Sequence, residues 1–189
     1  MKIKIIIILF FFALFNYKAV SYVKTDSTNK VQITASGGYS FGISKFYSDY
    51  SDEIKKNKIA LSLRVQLLTK YILSVGIESG YLGIANLKTQ DINADLDAYP
   101  ILLLFSYALP PFRINTGIGY YNIYSNISDE TGESKSNSFE FGFMASLQYN
   151  EQLTKSFGIG TEAKYYNIAE SSKSLISIMV NLNYVLFEW

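Results

Sequence analysis

The 189-residue chain contains no cysteine and no histidine. The first absence rules out a disulfide framework and attachment through a lipid-modified cysteine. The second removes the imidazole with which serine hydrolases activate their hydroxyl. Zinc sites built on His or Cys are excluded with it. Proline is scarce, with three in the whole chain. Neither sign of charge dominates: 17 basic residues face 16 acidic ones, so nothing points to nucleic acid. Long apolar runs are also missing. The longest, Ile5 to Phe15, falls short of the roughly 20 residues a membrane-spanning helix needs. Later runs are broken by a polar residue at every second position.

That apolar run belongs to an N-terminus of a familiar chemical kind. Lys2 and Lys4 give a charged start, the run follows, and Ala19-Val20-Ser21 has the small-x-small form of a cleavage site. Residues 1–21 are therefore expected to be a cleaved secretory signal. Removing it takes Lys2, Lys4 and Lys18, which leaves 14 bases against 16 acids, a net charge near −2. Residues 22–30 form a polar lead-in, and 31–189 a single β-barrel domain.

What the chain has in quantity is aromatic side chains, 16% of residues with 16 Tyr and 13 Phe, and a two-residue hydrophobic alternation. The alternation is clean between Val31 and Ile43. Val31, Ile33, Ala35, Tyr39, Phe41 and Ile43 take one face, while Gln32, Thr34, Ser36, Gly38, Ser40 and Gly42 take the other. Strand side chains alternate between faces, so such a segment is a strand with one apolar and one polar side. The pattern predicts eight strands, over 31–46, 58–68, 72–83, 98–107, 112–125, 138–149, 156–168 and 174–186. Connections at 69–71, 108–111 and 150–155 are short. Those at 47–57, 84–97 and 126–137 are long and polar, and 169–173 is intermediate. This is the asymmetry of an up-and-down antiparallel barrel with all tight turns at one end.

The composition of the two faces decides which one meets the outside. The polar face is rich in Gly and Ser with a few charges: Arg64, Glu78, Arg113, Glu140, Glu162 and Lys164. Small residues suit the inside of an eight-stranded barrel, which is barely wide enough for its own side chains. A water-facing strand would instead carry Lys, Glu and Thr, because Gly weakens a strand by about 0.5–1 kcal/mol. The wide apolar residues fit a convex surface in lipid, where only a closed barrel satisfies its backbone. Leu102 and Leu104 break the rule, since they occupy the inward phase. The C-terminus breaks it too: the outward phase is even-numbered up to Leu186, and a bulge or phase change is needed to turn Trp189 outward.

The stretch Tyr99-Pro100-Ile101-Leu102-Leu103-Leu104-Phe105-Ser106-Tyr107, followed by Pro111-Phe112-Arg113 and Gly117-Ile118-Gly119, is similar to the central hairpin of the small outer-membrane β-barrel proteins. With the leader, the eight strands and the terminal aromatic, the chain resembles the OmpA membrane domain, OmpX and the porin-like barrel families. The resemblance implies a bacterial outer-membrane location. It also implies that Trp189 is part of the signal read by the outer-membrane assembly machinery. Barrel enzymes of this shape rely on a histidine, which this chain lacks.

The resulting expectation is a non-enzymatic outer-membrane barrel with a structural or surface-interaction role. Its partners would be outer-membrane lipid, the assembly machinery and an extracellular partner met through the loops. The six inward charges form a balanced network that fills the lumen. No cofactor, catalytic residue or metal ligand is assigned. The acidic loop groups, such as Asp91, Asp95 and Asp97, lack the spacing of a calcium loop and are expected to be solvated. Two alternatives stand beside this reading: a narrow channel for small solutes, and a soluble lipocalin-like barrel holding an apolar ligand.

Overall fold

A computed structural model describes residues 28–43, 54–55, 57–70, 73–88, 92–129, 132–169 and 173–189. The expected signal segment and most of the lead-in lie outside them. The described residues form strands β1 (Lys30–Gly42), β2 (Ile54–Lys55), β3 (Asn57–Leu68), β4 (Leu73–Lys88), β5 (Ile92–Leu109), β6 (Phe112–Asp129), β7 (Gly132–Gln152), β8 (Phe157–Ile168) and β9 (Lys173–Glu188). None of them is helical.

Every pairing is antiparallel, and the pairings of β4 with β5 and of β1 with β9 close the sheet on itself. The wall has eight strands, with β2 a two-residue piece that continues the line of β3 along β4. Stepping across the ladders from Gln32 leads through Gln66, Gly76, Leu104, Gly117, Met144, Tyr166 and Leu175 to Gly42. The circuit returns ten residues further along β1. Such a stagger requires strands tilted by about 35–45° from the barrel axis. Both ends of the described chain meet at the turn end, where Asn29 and Trp189 exchange backbone hydrogen bonds at 2.9 and 3.0 Å.

The alternation lands as its chemistry demands. Leu63, Val65, Ile77, Ile101, Leu103, Phe105, Ile118, Phe143, Ile178 and Val180 are exposed on the outer wall. Two aromatic belts bound this surface. Tyr39, Tyr99, Tyr120 and Tyr124 ring the loop end, where Tyr99 meets Tyr81 and Tyr124 edge-on with centroids 5.6 and 5.9 Å apart. Tyr107, Phe112, Tyr149 and Tyr184 ring the turn end. Tyr71 lies outside the described residues. From Tyr99 to Tyr107 the strand advances eight residues, about 26 Å along its own axis. Tilt reduces that to about 20 Å of height, close to the apolar band of a membrane barrel.

The structure corrects one expectation about boundaries. The segments 84–97 and 126–137 are not long loops. Strand β4 runs on to Lys88 and β5 begins at Ile92, while β6 runs to Asp129 and β7 begins at Gly132. Ladder hydrogen bonds come from the backbone and tolerate polar side chains, so a hairpin continues past the apolar belt wherever its partner strand continues. Gly132 has φ +147°, a backbone shape that favours glycine as β7 begins. At the C-terminus the phase change that Trp189 demands is present. A register shift opposite Val31/Gln32 pairs Gln32 with Val185 but Val31 with Phe187. Leu186 is the extra residue, and beyond it Phe187 and Trp189 lie exposed with ring centroids 5.5 Å apart.

Candidate functional site

The inward phase builds two floors of different chemistry. The floor nearer the turns is polar. Four of the six charges named from the sequence meet there, carried by β3, β4 and β8 and all at the inward phase. Arg64 donates from Nε to Glu78 Oε2 at 2.8 Å and from Nη2 to Glu162 Oε1 at 2.7 Å. Lys164 Nζ donates to Glu78 Oε1 at 2.7 Å and lies 3.6 Å from Glu162 Oε2. Each carboxylate thus bridges both cations, and the quartet is neutral and closed. All four side chains are at most 1% exposed.

Uncharged donors complete the floor. Ser146 and Asn115 donate to Glu162 Oε1 at 2.5 and 3.2 Å, and Ser62 accepts from Lys164 at 2.9 Å. Gln66 donates to Ser106, Ser106 to Asn115, and Asn115 to Ser146. Taking charges out of water costs several kcal/mol per ion, and only dense pairing of this kind recovers it.

The other two charges do not join. Glu140 sits on β7 opposite Tyr121, toward the loop end, where Ser138 donates to it at 3.4 Å. Arg113 sits on β6 between Ala108 and Gln148, toward the turn end. Its Nη1 is shut off from solvent, and no described group accepts a hydrogen bond from it.

The floor nearer the loops is apolar. Leu82, Ile84, Ala98, Leu102, Leu104, Tyr121, Ile123, Met144, Tyr166, Ile168, Leu175 and Met179 are all buried there. Of these, only Leu102 and Leu104 stand out in the sequence as exceptions to a polar inward phase. The lumen is therefore not filled by polar and charged side chains alone. Glycines opposite the large residues make the space. A Cβ on Gly117 would come 2.8 Å from Leu104 Cδ2 and 3.4 Å from Met144 Cε, and one on Gly142 would meet Tyr121 Cε2 at 2.8 Å. Large-opposite-Gly across neighbouring inward positions was the signal available in the sequence.

Above the apolar floor, Lys58 holds two of the loop-end acids, Asp97 at 2.6 Å and Asp95 at 3.1 Å. Asn86 also donates to Asp95, and Tyr81 to Asp97. Burial opposes ionisation of Asp95, but the hydrogen bonds from Asn86 and Lys58 outweigh it and hold the carboxyl below the usual range. Asp91 lies outside the described residues.

No family model and no curated protein matches the chain. Solved structures do. A major outer membrane protein from Thermus thermophilus superposes with a TM-score of 0.62 at 11% identity, covering 84% of this chain and 99% of that one. Ail, the attachment invasion locus protein of Yersinia pestis, solved with the heparin analogue sucrose octasulfate, gives 0.54 at 13% identity, with 84% and 98% covered. The N-terminal β-barrel domain of Pseudomonas aeruginosa OprF gives 0.50 at 10% identity, with 83% and 99% covered. Likeness at such low identity defines the fold: an eight-stranded antiparallel barrel of the outer-membrane type. It is the fold of the small bacterial outer-membrane barrels, in agreement with the alternation of the sequence.

Proposed function

We propose that this chain is an integral protein of a bacterial outer membrane, without enzymatic activity, whose role is structural or surface-interactive. The observation that carries the reading is a continuous apolar outer wall between two aromatic belts, wrapped around an interior in which large apolar side chains and an ion-pair quartet are buried. Such a wall is stable in lipid and a liability in water. The side chains buried in the lumen favour this reading over both alternatives. A solute channel needs a gap through the quartet and the apolar floor, and a lipocalin-like binder needs an apolar cavity where Leu102, Leu104, Met144 and Met179 already pack.

Presentation to a partner is supported by the wall's uneven height. Strand β8 pairs with β7 no further than Gly142, whereas β7 continues to Gly132 against β6. Among the described residues the hairpins of β4 to β7 thus project beyond β1, β8 and β9. In this reading residues 1–21 are removed on export, and Trp189, exposed at the turn end, is read by the assembly machinery.

Cell fractionation with gels of heated and unheated samples tests the proposal. The expected result is a membrane-fraction protein whose unheated band migrates apart from the heated one. In a planar bilayer its conductance should match that of the bare membrane. Release with the soluble periplasmic contents would overturn the membrane reading. A steady conductance altered by Arg64→Gln would replace the closed barrel with a channel.

A further inference from the structure

Four lumen charges close on one another and a fifth does not. Arg64, Glu78, Glu162 and Lys164 are mutually neutral. Arg113 lies two residues turn-ward of Asn115 on β6 and adds one more positive charge to the same floor. Three polar groups on β7 and β9 are engaged elsewhere. Gln148 Oε1 accepts from Arg64 at 3.2 Å. Asn150 Oδ1 accepts from both Gln148 and Asn183, at 3.0 and 2.9 Å. Asn183 Oδ1 accepts from Gln32 and Thr34, both at 2.8 Å. Glu140 is eight residues loop-ward of Gln148 on β7, about 26 Å along the strand, and cannot reach.

A guanidinium does not shed its proton in a protein. A partly buried one is costly unless an anion meets it. Arg113 is therefore a fixed positive charge at the turn-end mouth, with one nitrogen sealed from water and no hydrogen-bond acceptor for it among the described residues. The planar fork of a guanidinium fits the paired oxygens of a phosphate or carboxylate. We propose that Arg113 is the base of an oxyanion site at the turn-end mouth of the barrel, taking one phosphate or carboxylate group from the aqueous side. The site does not depend on which way the barrel sits in a membrane, so it stands or falls apart from the function proposed above.

The test uses the full folded protein in detergent micelles. Inorganic phosphate or acetate replaces chloride at constant ionic strength. Thermal unfolding is followed by gel mobility, and the phosphorus resonance linewidth reports phosphate binding directly. The expected result is a saturable rise of the wild-type midpoint, with at least roughly tenfold weaker anion response in Arg113→Gln, the loss expected when a fork-shaped charged contact is removed. Arg113→Lys, which keeps the charge but loses the fork, should fall between them. In chloride alone Arg113→Gln should unfold at a higher temperature than wild type, because an unmatched charge is gone, and saturating anion should narrow that gap. The anion that saturates at the lower concentration tells phosphate from carboxylate. A wild-type response that never saturates would overturn the site, leaving Arg113 merely hydrated through the mouth. So would an equal response in Arg113→Gln, or an equal loss in the exposed-turn variant Lys155→Gln. The wild-type titration decides the matter even if Arg113→Gln does not fold.

Discussion

Replacing Glu78 by Gln tests whether the lumen quartet acts as one closed unit. Glu78 is 0% exposed and receives three short contacts, from Arg64 Nε at 2.8 Å, Arg64 Nη2 at 2.6 Å and Lys164 Nζ at 2.7 Å. Gln keeps the volume but not the charge, and its amide N–H₂ faces a cation. Arg64 and Lys164 are then left with Glu162 as their sole anion, and that carboxylate already accepts from Ser146 and Asn115. Removing one partner of a buried ion pair typically costs about 3–5 kcal/mol. Since every 1.4 kcal/mol is a factor of about ten, the folded-to-unfolded ratio should drop by more than about a hundredfold.

The control is to remove a cation as well. Glu78→Gln combined with Lys164→Met leaves Arg64 facing Glu162, a neutral pair. The double variant should recover a large part of the loss, with a coupling of about 1–3 kcal/mol between the two sites. Urea unfolding from lipid vesicles measures this, followed by gel mobility and by the fluorescence of Trp189, the single tryptophan of the chain. The reasoning is refuted if Glu78→Gln costs under about 1 kcal/mol, or if the double variant is destabilised by the plain sum of the two single changes.

Three further changes probe other parts of the wall and lumen. Leu103 lies midway between Tyr99 and Tyr107 on the outer wall, so Leu103→Arg should cost about 2–4 kcal/mol in vesicles and much less in a loop-end position, read by the same urea titration. Leu102 is 0% exposed within the apolar floor, and Leu102→Ala should cost about 2–5 kcal/mol while leaving the barrel non-conducting, because the quartet still closes the floor below it. The Lys58–Asp95 contact gives a pH dependence. Asp95 titrates below its ordinary value in the folded protein, so its contribution is present above about pH 4 and fades as pH falls through the lowered folded value. Protection of the Asn86 and Asp95 amides against exchange, relative to their intrinsic rates, should fall over that acid range in wild type. Asp95→Asn should abolish the pH dependence, and an unchanged dependence would place its origin elsewhere.

The wall was legible in the sequence because its signal is local. A strand needs to be apolar at every second residue, and β3 states this outright with Ile59, Leu61, Leu63, Val65 and Leu67 set against Ser62, Arg64 and Gln66. The lumen was only partly legible, since what fills it depends on which strands face each other. Arg64 and Glu162 are 98 residues apart, and only ring closure places them at 2.7 Å. The loop-end extensions carried no alternation to read, because beyond the apolar belt both faces meet water or polar neighbours and the backbone ladder alone continues.

The apolar floor shows most clearly where pattern reading runs out. Its residues sit at the phase that the alternation marks as polar, so each looks like an isolated exception. The register turns them into a set. Leu104, Gly117 and Met144 are neighbours on one rung, as are Leu102, Gly119 and Gly142 on the next. On each rung glycine surrenders the volume that a large neighbour takes, which is how a narrow barrel reaches interior packing density. At a bulge between Gly83 and Ala85 the consecutive residues Ile84 and Ala85 are both buried in the interior beyond Leu82, against any two-residue rule. Glycine at an inward position is therefore a statement about its cross-strand partner. The glycines taken singly suggest only a narrow lumen; paired with their partners across the ladder, they locate the plug.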